Sequence, residues 1–448
     1  MTTLRINDLS EYLWTVLLLS AMFLGTFLFA YRRRIVSVFD PLVLLAMAQT
    51  AQCVLALSYI HSQFLLFQFF ASQAALVVGF LLIPTPPRTF AVQETAIAWT
   101  DRDVVIAERT VGILFLMVVA ANIWLAASGP LPLFTNDPVN AKFTVYTGGG
   151  LGLVRRVNYG IGIFVPAGAL LLAAKGKHKV LFAFLFAACM PIAAVGGSKG
   201  PLLMFLQLIG YVLYRRDLLL EKMRKRLRLV SVILVGLSIF LGIFVLYILM
   251  KDWQLATLGL LERLLYTGDT VMYYYDPRVF PAMKSFGPID FVSMLLNPIT
   301  GLLRIAPYRA ALGHWMILEY MNYSPIADDI AGPNTSFYAV GNIYFGAFFG
   351  VIYCGAVGYF LAFIRGLFLR SRNASPLRLS WFLTLAVLVY NLPNEVNLFT
   401  GPLLDIAWMV LVAFIAAHIS LLIFGAASLR IRPFQSVATV QQLVSGKL

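Results

Sequence analysis

Residues 229–250, "LVSVILVGLSIFLGIFVLYILM", carry no charged side chain and are almost entirely apolar. A stretch of about 20 such residues is long enough for a helix to cross a bilayer. The whole chain has the same character, since 60% of its 448 residues are hydrophobic and 12% are charged. In soluble domains about a quarter of the residues are charged. The sequence therefore predicts an all-α, polytopic helical membrane protein.

Hydropathy read in windows of about 19 residues predicts about 11 transmembrane helices, within a range of about 10 to 13. The other predicted spans are 11–31, 41–60, 63–83, 110–128, 157–174, 180–196, 201–214, 337–364, 379–392 and 402–424. The span at 337–364 is long enough to tilt or kink. No hydrophilic segment is long enough for a separate soluble domain, so residues 1–448 are predicted to form a single membrane domain.

Positive charge predicts which loops lie in the cytoplasm. The chain has a net charge of +14, and about two thirds of its 34 lysines and arginines lie in alternate loops. These loops are 32–34, 84–109, 175–179, 215–228, 365–378 and 430–448. Cytoplasmic loops of membrane proteins carry such an excess, which places the N-terminus outside and the C-terminus in the cytoplasm. Because the basic residues cluster at span ends, we expect contact with membrane lipid and no nucleic-acid partner.

The longest interruption of the apolar pattern is residues 251–335, predicted to be a large, structured extracytoplasmic loop that caps an active site. Its short apolar runs, such as "FVSMLLNPITGLLRIA" (291–306), favour helices lying on the membrane. Residues 129–156 are predicted to form a second extracytoplasmic loop, and 196–200 and 391–401 are predicted to reach the same side. Four outer segments could thus converge on one cavity.

Five cations on that side are candidates for binding phosphate. Arg155 and Arg156 follow a glycine-rich run whose backbone N–H groups can approach an oxyanion. Lys199 lies in a glycine-rich turn between two short spans, and Arg304 and Arg309 flank a proline. The alternative for the first pair is contact with lipid headgroups, and for Lys199 a hairpin turn with a solvated side chain.

Three residues of the long loop are candidate proton acceptors: His314, Asp269 and Glu319. A lone histidine is more often structural, but one near two arginines can act as a base. Tyr273 and Tyr274 are candidates for stacking on sugar rings, with an interfacial aromatic belt as the alternative. Asp405 lies inside a predicted span, where it requires a polar partner or an aqueous cavity.

The sequence has no metal-ligand cluster, Walker motif, G-x-S-x-G elbow or dinucleotide fingerprint. This argues against ATP-driven transport and most soluble-enzyme chemistry. We therefore predict no cofactor and no metal. An enzyme whose donor substrate is already activated requires neither.

Two motifs and the loop between them carry a family resemblance. The motifs are "VGGSKGPLL" (195–203) and "NTSFYAVGNIYFGAFFGVIYCGAVGYF" (334–360). The arrangement resembles the Wzy-type O-antigen and oligosaccharide repeat-unit polymerases. The residues that match are Ser198, Lys199 and Gly200 in the turn, and Pro333, Thr335, Ser336, Phe337, Gly341, Tyr344, Phe345, Gly346 and Gly350 in the span. Lys199 stands where the family more usually has arginine, and lysine does not make the bidentate phosphate contact.

The resemblance implies a metal-independent membrane glycosyltransferase of the bacterial cytoplasmic (inner) membrane. Such an enzyme polymerises undecaprenyl-diphosphate-linked oligosaccharide repeat units at the outer face of the cytoplasmic membrane. The five cations would hold the diphosphate, one of the three candidate bases would activate the acceptor hydroxyl, and a chain-length regulator protein would be a further partner. The alternatives are an O-antigen ligase, which uses the same donor, and a lipid-linked oligosaccharide flippase or other transporter.

Overall fold

The computed structural model describes residues 6–86, 99–135, 141, 151–195, 200–219, 221–307, 310–322, 333–371 and 373–429. These residues form helices joined by turns and contain no strand, which confirms the all-α prediction. The helices are α1 (Ile6–Tyr31), α2 (Pro41–Tyr59), α3 (Gln63–Leu81), α4 (Asp101–Ser128), α5 (Leu151–Tyr159), α6 (Ile161–Lys175), α7 (Lys179–Val195), α8 (Gly200–Tyr214), α9 (Glu221–Met250), α10 (Trp253–Leu265), α11 (Thr270–Tyr274), α12 (Val279–Met283), α13 (Pro288–Leu302), α14 (Leu312–Met321), α15 (Phe337–Arg370), α16 (Pro376–Leu388) and α17 (Asn397–Leu429).

Eight helical stretches in the described part of the chain are long and apolar enough to cross a membrane, one of them formed by the consecutive helices α5 and α6. Each of them coincides with a predicted span, so the polytopic architecture is confirmed. The other three predicted spans are the shorter helices Lys179–Val195, Gly200–Tyr214 and Pro376–Leu388. Their lengths of 17, 15 and 13 residues fall below the roughly 20 that a perpendicular crossing needs.

Side-chain caps fix where several helices begin. Asp40 accepts a hydrogen bond from the backbone N–H of Leu42 at 3.0 Å and so caps α2. Thr100 caps α4 through the N–H of Asp103 at 3.1 Å. These side chains satisfy backbone donors that have no partner within the helix. Residues 32–40 connect α1 to α2, and the two helices lie side by side.

Helix α15 contains a sharp turn at Gly346, which has φ 75° and ψ −174°. The Cys354 thiol lies 3.7 Å from the carbonyl oxygen of Phe337, although the two are 17 residues apart, a separation of about 25 Å in a continuous helix at 1.5 Å per residue. A Cβ atom on Gly341 would lie 2.7 Å from the carbonyl oxygen of Gly350. The segment 337–345 is therefore a short helix that folds back against 347–370. The predicted single span at 337–364 is corrected to this helical hairpin.

One end of the bundle gathers the loops that are rich in lysine and arginine. Buried Arg365 donates a hydrogen bond to Asp40 at 2.5 Å and another to the Arg34 carbonyl at 2.7 Å. Arg215 donates to the carbonyl of Phe368 at 2.7 Å, and Trp99 donates to the carbonyl of residue 374 at 3.2 Å. Loops predicted to share one side of the membrane thus lie together. Which side this is stays a prediction.

The long segment 251–335 does not lie wholly on the membrane as a cap. Gly268 packs against the backbone of Ala51 and Gln52, where a Cβ atom would meet Gln52 N at 2.8 Å. Gln52 lies near the middle of α2, so this part of the segment reaches about halfway along the bundle. Irregular backbone at that depth has to be bonded to protein, and buried polar side chains supply those bonds.

Candidate functional site

Residues 333–336, the turn that leads into α15, form the centre of a buried polar cluster. The backbone N–H of Thr335 donates to Glu395 Oε2 at 2.7 Å. The Thr270 hydroxyl donates to the carbonyl of Asn334, and Gln52 Nε2 donates to Ser336 Oγ at 3.2 Å. The cluster thus joins the long segment, α2 and the turn before α17.

Asp269 lies at the edge of this cluster, one residue before the buried Thr270. Its carboxyl is largely withdrawn from solvent, and burial raises its pKa to about 7 despite a hydrogen bond from the Thr270 backbone N–H. Within the described residues it makes no ion pair. A carboxyl with a pKa near 7 can take up or release a proton at physiological pH, which is the property of a general base.

Glu395 is a second buried carboxyl on the other side of the 333–336 turn. It is 5% exposed. Burial raises its pKa to about 7, although the bond from the Thr335 N–H acts in the opposite direction. Two carboxyls with raised pKa values therefore flank one turn, and such shifts are common at functional sites.

A chain of buried polar side chains leads away from the cluster. Gln73 Nε2 donates to Gln52 Oε1 at 2.9 Å, and Gln49 Nε2 donates to Gln73 Oε1 at 3.0 Å. The Tyr31 hydroxyl donates to Gln49 Oε1 at 3.1 Å. All four side chains are at most 2% exposed. The chain crosses α1, α2 and α3 and reaches toward the arginine-rich end of the bundle.

Tyrosine rings line the half-exposed face beside Asp269. Tyr273 and Tyr320 meet edge to face with 5.1 Å between ring centroids. The Arg278 guanidinium lies 4.6 Å above the Tyr320 ring and binds the Asp276 carboxylate through two hydrogen bonds of 2.9 and 3.0 Å. Half-exposed aromatic faces beside a carboxyl suit a sugar ring, which presents C–H bonds to the aromatic face and hydroxyls to the carboxyl.

Tyr274 differs from Tyr273 in its surroundings. It is 2% exposed and packs edge to face against Tyr275 and Phe280, at 4.8 and 5.4 Å between centroids. No ring face is open to a sugar, because the side chain is buried among these rings. The stacking role predicted for Tyr274 is therefore corrected to a core role.

Three buried hydroxyls around the cluster lack a hydrogen-bond partner among the described residues: those of Thr335, Tyr338 and Tyr353. The Tyr338 hydroxyl lies near Thr270 and Ser336, and Tyr353 lies near Glu395. Buried polar groups without partners are rare in folded proteins. Here they mark the interior of the cluster as a place suited to water or to a polar ligand.

The two neighbouring arginines Arg155 and Arg156 have different surroundings in the structure. Arg156 forms an ion pair with Asp405 at 2.8 Å, and both side chains are mostly buried. Asp405 therefore has the polar partner that its position in a span requires. Arg155 is exposed, and its guanidinium lies 5.8 Å from the Tyr159 ring on the same helix. Of the two, Arg155 is the arginine open to a phosphate group.

Of the three remaining predicted cations, the structure describes one. Arg304 is exposed just after α13, in a left-handed turn with φ 56°. Lys199 and Arg309 lie outside the described residues. The diphosphate-binding role of all three stays a prediction.

His314 and Glu319 both lie on α14. Glu319 is exposed, and His314 is half-buried with its backbone N–H bonded to the carbonyl of residue 311 at 3.0 Å. Tyr320, next to Glu319, is the residue of this helix that contacts Tyr273. Of the three candidate bases, Asp269 is the one placed at the buried cluster.

Sequence reasoning assigned no role here to Gln52, Thr270, Arg278, Tyr320 or Glu395. A signal for Gln52 existed, because four glutamines, Gln49, Gln52, Gln68 and Gln73, lie in the interior of the largely apolar helices α2 and α3. Polar residues inside predicted spans mark functional or packing contacts. Among the described residues, no group of three histidine, cysteine, aspartate or glutamate side chains could hold a metal ion.

Comparison with family models, with curated proteins and with solved structures gives no match for this chain. The resemblance to the polymerases therefore depends on the two quoted motifs. The structure gives part of the second motif a physical basis. Gly346 forms the turn of the hairpin, and Gly341 and Gly350 are the positions where its two arms touch.

Proposed function

We propose that the protein is a membrane glycosyltransferase that polymerises undecaprenyl-diphosphate-linked oligosaccharide repeat units at the outer face of the bacterial cytoplasmic membrane. Asp269 is the base, and the Tyr273 and Tyr320 rings hold the acceptor sugar. The proposal rests on the buried Asp269 carboxyl, whose pKa is raised to about 7 by burial, beside the half-exposed rings of Tyr273 and Tyr320.

The reaction is a displacement at the anomeric carbon of the donor glycan. The acceptor hydroxyl oxygen forms the new bond to that carbon while Asp269 takes its proton. The bond between the anomeric carbon and the diphosphate oxygen breaks, and undecaprenyl diphosphate leaves with the electron pair. Stabilisation of its negative charge is the role proposed for the predicted diphosphate-binding cations, of which Arg155 and Arg304 are exposed in the structure. A donor that already carries a diphosphate leaving group supplies the driving force.

Purified protein in lipid vesicles, supplied with a lipid-linked repeat unit alone, tests the proposal. The expected product is a ladder of glycan lengths on a gel. The Asp269→Asn variant should form no ladder, because an amide cannot accept the proton. The matched control is Glu319→Gln, an exposed carboxyl on a neighbouring helix, which should keep the wild-type ladder. A normal ladder from the Asp269→Asn variant would refute the assignment of the base.

The same assay distinguishes the closest alternative, an O-antigen ligase, which shares the donor and the displacement chemistry. With lipid A core added as acceptor, a ligase transfers one glycan to the core and makes no ladder. A polymerase makes the ladder with or without the core. Failure of every lipid-linked donor to react would reject both enzymes.

A transporter of lipid-linked oligosaccharides is the second candidate, and one observation favours it. The buried polar turn at 333–336 contacts Gln52 near the middle of α2, and the helix that follows it is broken at Gly346, as the discontinuous helices of many transporters are. A transporter would move a labelled lipid-linked glycan between the leaflets of a vesicle and leave it chemically unchanged. The polymerase changes its length, so mass spectrometry of the recovered lipid separates the two.

A further inference from the structure

A cavity of about 910 Å³ lies at the arginine-rich end of the bundle, far along the chain from Asp269 and Glu395. Its lining includes Arg32, Arg33 and Arg34, which follow α1, and Thr85, which follows α3. The polar cluster and its tyrosines contribute no side chain to the cavity. It therefore requires an explanation of its own.

Positive charge in this cavity exceeds the negative charge that the described contacts provide. Arg34 is held in place by a 2.8 Å hydrogen bond to the carbonyl of Leu81. Arg365 donates to the Arg34 carbonyl and to the Thr85 hydroxyl behind the cavity wall, at 2.7 and 3.3 Å. The carboxylate in these contacts is Asp40, which is buried and bonded to Arg365. Arg32 and Arg33 are exposed at the mouth of the cavity, so their charge is available to an anion.

The charges also act on one another. Burial lowers the pKa of Arg34, and the nearby positive charges of Arg365 and Arg370 lower it further. A bound anion would relieve this repulsion. Arginine is the side chain best suited to phosphate, because its planar fork can make two parallel hydrogen bonds.

The other wall of the cavity is apolar. Phe29, Ala30 and Leu81 line it, and the Phe29 side chain is 63% exposed. The Arg32 guanidinium lies 3.9 Å from the centre of the Phe29 ring. A lining that is cationic on one side and apolar on the other matches a ligand with a charged head and a hydrocarbon tail. A free ion would make no use of the apolar wall.

We propose that this cavity binds the phosphate group of an anionic membrane phospholipid. Arg32 and Arg33 contact the phosphate, and Phe29 and Leu81 pack against the first methylene groups of the acyl chains. The site is independent of the proposed glycan chemistry. The cavity is large enough for a headgroup, since it exceeds the roughly 300 Å³ at which small-molecule pockets begin.

Native mass spectrometry of the purified full chain in detergent tests the site. The probes are phosphatidylglycerol, phosphatidylcholine and inorganic phosphate. We expect retention of phosphatidylglycerol in preference to phosphatidylcholine, because only the former carries net negative charge. The double variant Arg32→Gln/Arg33→Gln should weaken phosphatidylglycerol binding about thirtyfold, at about 1 kcal/mol per arginine.

The matched control is Arg226→Gln/Arg228→Gln, which removes two exposed arginines of α9 that do not line the cavity. It should leave the affinity within a few-fold of the wild type. Equal weakening in both double variants, or no preference between the two lipids, would overturn the proposal. If millimolar inorganic phosphate displaces the lipid, the cavity is a site for free phosphate and the proposal of a phospholipid is wrong. All four exchanged arginines are exposed, so melting temperatures should stay unchanged.

Discussion

Asp269, the proposed base, carries a cost in stability that depends on pH. Its pKa is raised to about 7 by burial, whereas an unfolded aspartate has a pKa of about 3.9. At a pH between these two pKa values, the folded protein therefore keeps a proton on Asp269 that the unfolded chain has released. The stability contributed by this proton is complete below pH about 4 and is lost as the pH rises through about 7.

The rate of chain extension should follow the opposite course. Only the ionised carboxylate can accept a proton, so we predict that the rate rises with pH through about 7 and then levels. A pH series of initial rates in vesicles measures this. A rate that falls through the same range would show that the proton acceptor is a different group.

The Asp269→Asn variant should separate activity from stability. An amide carries no charge, so the variant avoids the penalty of a buried carboxylate. We predict a higher melting temperature than wild type at pH 8 and little difference at pH 5, together with loss of activity. Thermal unfolding monitored by size-exclusion chromatography at the two pH values tests this. A variant less stable than wild type at pH 8 would contradict the burial argument.

The Arg365–Asp40 pair is the residue-scale contact with the largest expected effect on folding. Both side chains are at most 2% exposed, and removing one partner leaves the other charge buried. Arg365→Met should destabilise the protein by about 3–5 kcal/mol. The double variant Arg365→Met/Asp40→Leu should recover part of this loss, because no buried charge is left. The control is Arg33→Gln, which changes an exposed arginine and should leave stability unchanged. Melting temperatures rank the stability of these variants.

At the scale of elements, the hairpin of α15 depends on three glycines with different roles. Gly346 has a backbone conformation that is essentially restricted to glycine. Gly341 and Gly350 allow the two arms to touch, since a Cβ atom on either would lie within 2.8 Å of the other's backbone. The hairpin holds residues 333–336 against Gln52 and Glu395, so its geometry determines that of the polar cluster.

Gly346→Ala should therefore destabilise the protein by about 1–3 kcal/mol, and Gly350→Leu should do so more severely because the arms cannot close. Gly236→Ala is the matched control, since Gly236 lies in α9, where an added Cβ atom would meet nothing within 4 Å. That change should leave the melting temperature equal or slightly higher. Equal effects at Gly346 and Gly236 would contradict the strained turn.

Hydropathy predicted the positions of the helices well because lipid imposes the same apolar length on every span. It could not predict the fold-back at Gly346, since an apolar run has the same hydropathy whether it continues or reverses. Hydropathy also could not predict that the Asp269 carboxyl is buried. Its burial comes from the contact between Gly268 and Gln52, residues far apart in the sequence. The sequence showed that Asp405 requires a polar partner or an aqueous cavity, but it did not identify Arg156 as that partner.

At the scale of the molecule, the contacts place the basic loops together but do not assign them to a side of the membrane. The charge distribution assigns them to the cytoplasm. Single reporter cysteines at the exposed positions Glu319 and Lys225 test this. The native Cys53, Cys189 and Cys354 are buried, so they should contribute little background.

We predict that a membrane-impermeant maleimide labels Glu319→Cys in intact cells and labels Lys225→Cys only after permeabilisation. The reversed pattern would invert the topology and place the polar cluster on the side that faces the cytoplasm. In that case a donor at the outer face could not reach Asp269 from its own leaflet. The proposed function would then fail together with the topology.

The buried chain from Tyr31 to Ser336 has one further property. Each donor in it points the same way, from Tyr31 through Gln49, Gln73 and Gln52 to Ser336. Because the Thr270 hydroxyl is already donating to Asn334, the Ser336 hydroxyl is the donor to Thr270. The bond dipoles therefore add head to tail, as peptide dipoles do in a helix. Their positive end lies at Thr270, the residue after Asp269, where the last proton is donated to the Asn334 carbonyl. The row is thus polarised toward the 333–336 turn, and its direction can reverse only if every member turns over together.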